Sequence, residues 1–189
     1  MGVLRYAITG GEYRSGDAER WAADGVDFVQ LRAKSMDAGA MVALAREMIR
    51  GLGGKAKLLV NGRTDVAIAA EAAGVHLTAR PDELTPEQVR RVFASAEAGV
   101  PLVSVSCHTL AEVERARDGA ADLILFGPVF EKRVDGVLAV EGAGLEMLRR
   151  ACASAAPVKV LALGGVTWEN APLCVEAGAA GVAGIRLFR

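Results

Sequence analysis

Short apolar runs and helix-patterned stretches alternate along this chain almost without a break. That regularity limits the fold more than any other feature. Leu4–Thr9, Phe28–Leu31, Leu58–Val60, Val75–Leu77, Leu102–Val105, Leu123–Phe126, Val158–Ala162 and Val182–Ile185 read as strands. Between them, Ala18–Ala23, Ala38–Ile49, Asp65–Ala73, the "LTPEQVRRVF" segment, Thr109–Arg117, Leu145–Cys152 and Asn170–Ala177 read as helices. Thr85 with Pro86 behind it is a strong helix start. Leu110, Val113 and Ala116 share one face of the helix after Thr109. The strands are apolar throughout, as strands covered on both faces must be.

Strict alternation permits an open doubly wound sheet or a closed barrel. The barrel is favoured by about eight strands, and by short helices that end in Gly-Ala or Gly-Val ("AADGVDF", "AAGVHL", "AEAGVPL"). "TGGEYRSG" after the first strand lacks the spacing of a dinucleotide-binding loop. The expected fold is therefore an eight-stranded parallel α/β (TIM) barrel forming one domain over residues 1–189. It is a minimal barrel, because residues run out before a full eighth helix, and "GPVFEKRVDGVLAVEG" reads as an irregular stretch. The uncovered outer side of the last and first strands predicts a homo-oligomer, with Leu187 and Phe188 buried by the partner.

Composition removes several function classes. A net charge of -1 supports neither a nucleic-acid nor an anionic-membrane partner. No apolar run approaches a membrane span. The N-terminus shows no signal-peptide pattern. Cys107, Cys152 and Cys174 are too widely spaced for a metal site or a disulfide framework, which fits free thiols in a reducing cytoplasm.

In such a barrel the site lies at the carboxyl ends of the strands. Those ends carry Gln30, Arg32 and Lys34; Asn61; His76; Ser106; and His108. Side chains two apart in a strand point the same way, so Gln30 and Arg32 share a direction, as do Ser104 and Ser106. Cations, amides and hydroxyls in convergence suit an anionic small molecule; the alternative is that the cations are simply solvated. "LALGGVT" and "AGVAGIR" place Gly164, Gly165 and Gly184, followed by Arg186, after the last two strands. Loops there commonly bind phosphate through backbone N–H groups; a plain tight turn is the alternative for the Gly pair. His76, His108 and Lys34 are the candidates for proton transfer. For each histidine the alternative is structural: a buried hydrogen bond at His76, a helix start at His108.

Taken in order, "YAIT", "QLRAK", "VNGRTDVA…AGVHL", "SVSCH", "LILFGPVF", "LALGGVTWEN" and "AGAAGVAG" resemble thiamine phosphate synthase and its TenI-like relatives, the thiazole tautomerases. The likeness runs from about Arg5 to Ile185. It implies a cytoplasmic enzyme of thiamine biosynthesis. In the synthase, a pyrimidine diphosphate is joined to a thiazole phosphate with Mg²⁺ help. By resemblance, Arg32, Lys34, Asn61 and Ser106 would face the diphosphate, while Gly165 and the backbone near Gly184 would cradle the thiazole phosphate. The departures matter as much. Gly62 stands where the synthase has a metal-binding Asp, and Pro81 where it has a second, leaving Asp82 as the metal candidate. The loop from Phe130 to Asp135 lacks the synthase's hydroxyls and Lys. Gly62 suits the tautomerase branch, but Pro128 stands where that branch has a catalytic His. The expected role is TenI-like binding or tautomerisation of thiazole phosphate, with Mg²⁺ required only by a retained synthase activity. The alternatives are a divergent synthase and a non-catalytic thiazole-phosphate-binding protein.

Overall fold

Eight parallel strands close on themselves in the order β1-β10-β9-β6-β5-β4-β3-β2. They are β1 (Leu4–Ile8), β2 (Phe28–Leu31), β3 (Lys57–Asn61), β4 (Gly74–Thr78), β5 (Leu102–Cys107), β6 (Leu123–Phe126), β9 (Lys159–Leu163) and β10 (Gly181–Gly184). This is a computed structural model. It describes residues 2–10, 13–33, 35–78, 80, 82–134 and 137–189, with backbone alone at 132–134 and 137–139. Among the described residues seven α-helices cover the barrel: α1 (Asp17–Ala23), α2 (Ala38–Leu52), α3 (Thr64–Ala69), α4 (Pro86–Ser95), α5 (Leu110–Asp118), α6 (Gly144–Ala155) and α7 (Ala171–Glu176).

Local chemistry sets these helices. Asp37 caps α2 by accepting from Ala40 N, and Gly53 ends it in the left-handed conformation. Thr85 with Gln88, and Thr109 with Glu112, close reciprocal capping boxes at the starts of α4 and α5. Period-two alternation then divides the strand side chains into two cores. The outward set, including Val29, Val60, Val75, Val103, Ile124 and Val160, packs under Met48, Phe93 and Leu148 from the helices. The inward set includes Tyr6, Leu123, Leu125, Leu161 and Ala183. Each large helix anchor contributes roughly 1.5–3 kcal/mol by burial.

Two expectations need correction. The stretch after β6 is not wholly irregular: β7 (Lys132–Val134) and β8 (Val137–Val140) pair antiparallel outside the barrel. The apolar, β-branched run at 137–140 has no place in the closed barrel, so it pairs locally. Phe188 is also not left for a partner to bury. A 3₁₀ turn at Arg186–Phe188 occupies the eighth-helix position. There Phe188 packs edge-on against Trp168 at 5.6 Å. Its carbonyl accepts from Trp21 Nε1 at 2.9 Å and Arg20 Nη1 at 2.9 Å. Leu187 is only half-buried. Among the described residues no helix is long and apolar enough to cross a membrane.

Candidate functional site

The barrel interior has two unlike walls. Leu123, Leu125, Leu161 and Ala183 make the side of β6, β9 and β10 apolar. Across from them, buried polar groups from β1, β2, β4 and β5 form a connected chain. Gln30 Nε2 donates to Tyr6 Oη at 3.4 Å, and Tyr6 Oη meets Ser104 Oγ at 2.9 Å. His76 Nδ1 lies 2.8 Å from Ser104 Oγ and 3.4 Å from Tyr6 Oη. His76 Nε2 lies 2.9 Å from Ser106 Oγ, which is half-buried at the end of β5. Register explains the meeting: His76 pairs with Ser104 and Thr78 with Ser106 across β4 and β5.

Burial, and after it the Arg32 guanidinium, pushes the His76 pKa down to about 3. Burial raises Tyr6 to about 12, opposed by its bonds with Gln30 and Ser104. Both side chains are therefore neutral near pH 7. His76 has both ring nitrogens engaged, which makes it a poor base. Gln30 is turned into the wall rather than toward a ligand.

Arg32 and Asn61 end β2 and β3 half-buried. The Arg32 N–H donates to Thr9 Oγ1 at 2.8 Å, which fixes the backbone under its side chain. Lys34 lies outside the described residues, as does Pro81. His108 is exposed beside the capping box of α5. Its N–H donates to Glu112 Oε2 at 2.5 Å, and its Nδ1 bonds the Gly127 carbonyl. A carbonyl only accepts, so Nδ1 carries a proton, and in the neutral ring the lone pair is on Nε2.

On the apolar side, Gly164, Gly165, Gly184 and Arg186 line one cavity of about 420 Å³ together with Pro128 and Glu131. Among the described residues, the N–H groups of Gly165, Val166 and Ile185 donate no hydrogen bond. Gly164 and Gly165 have φ of 89° and 66°. A Cβ on Gly165 would lie 2.7 Å from Phe130 Cβ and 2.9 Å from its carbonyl oxygen. The Gly pair thus serves close packing of the loop after β6 as well as any ligand. A bulky residue at 165 would displace that loop, so it cannot report on anion binding alone.

The metal expectation changes most. Asp82 is exposed and held by Arg80 through bonds of 3.1 and 2.8 Å. Arg80 accordingly lowers its pKa. The carboxylate nearest Gly62 is Glu83. A Cβ on Gly62, where φ is +65°, would stand 3.1 Å from Glu83 Oε1. Glu83 Oε2 accepts from the Thr78 N–H at 2.9 Å and from its hydroxyl. Among the described residues no three His, Cys, Asp or Glu side chains gather around a cation position. Mg²⁺ demands near-octahedral oxygen ligands and dehydrates reluctantly. With one carboxylate tied to Arg80 and the other half-spent on Thr78, these residues do not fit a resident Mg²⁺. The cysteines offer no nucleophile either. Burial pushes Cys107 up to about 12 and Cys152 up to about 11.

Sequence reasoning did not single out Tyr6, Glu83 or Glu112. Tyr6 stands in the first strand, "LRYAI", yet only the strand order brings it to His76. Glu83 had no signal beyond proximity to β4.

A closed parallel barrel with polar side chains and a glycine-lined cavity toward its strand ends has the architecture of the α/β barrel proteins, which as a class carry their ligand sites at that face. The match is specific. This chain belongs to the thiamine monophosphate synthase (TMP-TENI) family, whose profile matches residues 6–188. It is 36% identical to the putative thiamine-phosphate synthase 2 of Aquifex aeolicus over 97% of this chain and 96% of that protein. It is 34% identical to the thiamine-phosphate synthase of Anaeromyxobacter dehalogenans, over 93% of this chain and 75% of the relative. A thiamine phosphate pyrophosphorylase from Pyrococcus furiosus superposes with a TM-score of 0.81 at 26% identity, covering 97% of this chain and 85% of that one.

Proposed function

We propose that this protein binds a thiazole phosphate in thiamine biosynthesis and acts in the TenI-like manner. The observation that carries the reading is the cavity beside Gly165, where among the described residues the N–H groups of Gly165, Val166 and Ile185 have no protein acceptor. Backbone N–H donors that share a lining with Arg186 suit a phosphate monoester. Leu163 and Ala183 in the same lining suit the flat, weakly polar ring that would follow. Arg32, Asn61 and Ser106, across the mouth, offer charge and hydrogen bonds to a second anionic group. His108 is the proton-transfer group in this reading. Its Nδ1–H is fixed on Gly127, so Nε2 can take a proton from bound ligand and return it. No step runs through a metal.

A second reading, transfer of a pyrimidine group from its diphosphate, is favoured by the names of the relatives. One assay separates the two. The protein is incubated with each thiazole phosphate isomer, with and without the pyrimidine diphosphate and Mg²⁺. Interconversion of the isomers without Mg²⁺, lost in His108→Gln, is the expected result. Thiamine phosphate formation only with Mg²⁺ would replace the TenI-like reading with the transferase. Arg186→Ala should weaken thiazole phosphate binding roughly tenfold, the loss of one charge-assisted contact. Unchanged affinity would remove the phosphate from this cavity.

A further inference from the structure

The buried polar chain has a direction. We infer that Gln30, Tyr6, Ser104 and His76 form a one-way donor relay that holds the Ser106 hydroxyl as a hydrogen-bond donor toward an anionic ligand at the barrel mouth. The inference rests on the proposed anionic ligand for its consequence, but not for its geometry.

The direction follows from the group at its inner end. An amide nitrogen is donor-only, so Gln30 Nε2, 3.4 Å from Tyr6 Oη, makes the phenol oxygen its acceptor. The Tyr6 proton then points onward to Ser104 Oγ at 2.9 Å. Ser104 has a second lone pair, so it can either pass its own proton to His76 Nδ1 at 2.8 Å or accept from Nδ1–H. The relay takes the first course: Nδ1 is the bare nitrogen, and the ring proton sits on Nε2. Nε2–H donates to Ser106 Oγ at 2.9 Å. Ser106 already accepts inside the wall, so its proton is free to point out. Ser106 is half-buried at the mouth, while Tyr6, Gln30, His76 and Ser104 are buried. The inner four thus lack water that could compete for or reverse these bonds.

This assigns His76 a positioning role. The partner on one ring nitrogen decides what the other presents. The low His76 pKa fits, because a charged ring would donate from both nitrogens and force Ser104 to turn round. The opposite order is also chemically complete. With the amide oxygen of Gln30 facing Tyr6, every proton would reverse, Nδ1 would be protonated, and Ser106 would donate inward. Ser106 would then show an anion only lone pairs. The two orders make opposite predictions.

The test has an arm without ligand and an arm with one. In the full chain, nitrogen-15 NMR of the imidazoles reads the tautomer directly, with His76 assigned by loss of its signals in His76→Gln. The expected result is a protonated Nε2 and a bare Nδ1; a protonated Nδ1 overturns the relay. In the second arm, inorganic diphosphate binding is measured by calorimetry. Ser106→Ala should weaken it roughly tenfold, as for one bond to a charged acceptor. Tyr6→Phe, which removes the group that orients Ser104, should weaken it about threefold on its own. In the Ser106→Ala background it should weaken it no further. Equal losses in both backgrounds would mean that Tyr6 acts only through structure and would overturn its positioning role. Failure of the wild-type chain to bind either diphosphate or thiazole phosphate would sink the proposed function, while the tautomer still decides the relay.

Discussion

His76 has three neutral hydroxyl neighbours, on Ser104, Ser106 and Tyr6, and no carboxylate partner among the described residues. Its burial without counter-charge therefore has a thermodynamic consequence. An unfolded His protonates near pH 6.5, whereas in the fold its pKa is lowered to about 3. Between those values the unfolded chain takes up a proton that the folded chain refuses. The contribution of His76 to stability is complete above about pH 6.5 and is lost progressively as pH falls toward about 3. Carboxylates also titrate there, so the comparison must be with His76→Gln, whose amide supplies a donor without titrating. Urea unfolding across pH 7.5 to 4 should show a steeper fall for the wild type. Parallel curves for both proteins would mean that His76 reaches solvent or a partner in the fold. Glu83 shows the same scale from the other side. Its contacts with Thr78 place a carboxylate beside Gly62, where no residue of β3 supplies one.

At the scale of one element, the start of α5 links stability to the site. Thr109 accepts from Glu112 N at 3.2 Å, and Glu112 Oε2 accepts from the N–H groups of both His108 and Thr109. The capping box that begins the helix therefore also fixes the histidine before it. Thr109→Ala removes one cap bond and should cost about 1 kcal/mol in urea unfolding. If the proposed isomerisation is observed, Thr109→Ala should lower its turnover more than it raises KM, because His108 loses its fixed position while the cavity beside Gly165 is untouched. An equal change in both would mean that the helix start also shapes binding. Thr85 has the same box at α4 without a histidine beside it. Thr85→Ala should match the stability loss with no change in turnover, which makes it the control.

For the whole molecule, the 3₁₀ turn at Arg186–Phe188 alters the case for assembly. Phe188 is 8% exposed within its own chain, so the apolar seam between β10 and β1 is largely closed. Trp168, Leu173 and Val175 remain exposed on and before α7. Exposed apolar groups of this size commonly mark contacts between copies. We expect the homo-oligomer anticipated from the sequence to use α7 rather than Phe188. Sedimentation at micromolar concentration should give a dimer that Leu173→Asp dissociates. A monomer at that concentration would show that the turn alone suffices to cover the barrel.

The alternation of apolar runs and helix patterns narrowed the fold to two architectures, and the count of about eight strands with short Gly-terminated helices pointed to the barrel. Backbone polarity leaves few ways to bury eight apolar strands, and a closed sheet satisfies every edge. The location of Arg32, Asn61, Ser106, Gly164, Gly165 and Gly184 toward the carboxyl ends was legible for the same reason, because strand direction fixes which end is which; His76 instead sits in the middle of β4. What those residues touch was not legible. Gln30 and His76 looked like ligand contacts, but β-sheet register and closure of β1 against β2 set Gln30 against Tyr6, and His76 against Tyr6 and Ser104, inside the wall. Asp82 looked like the metal candidate beside β4, but a local pairing with Arg80 takes it. The fold-back that sets Glu83 over Gly62 instead joins β3 to the loop after β4. Spacing in a strand states which way a side chain points. Only the tertiary structure brings together groups 28 and 70 residues apart, as in the His76–Ser104 and Tyr6–His76 contacts, and so decides which of them can bond.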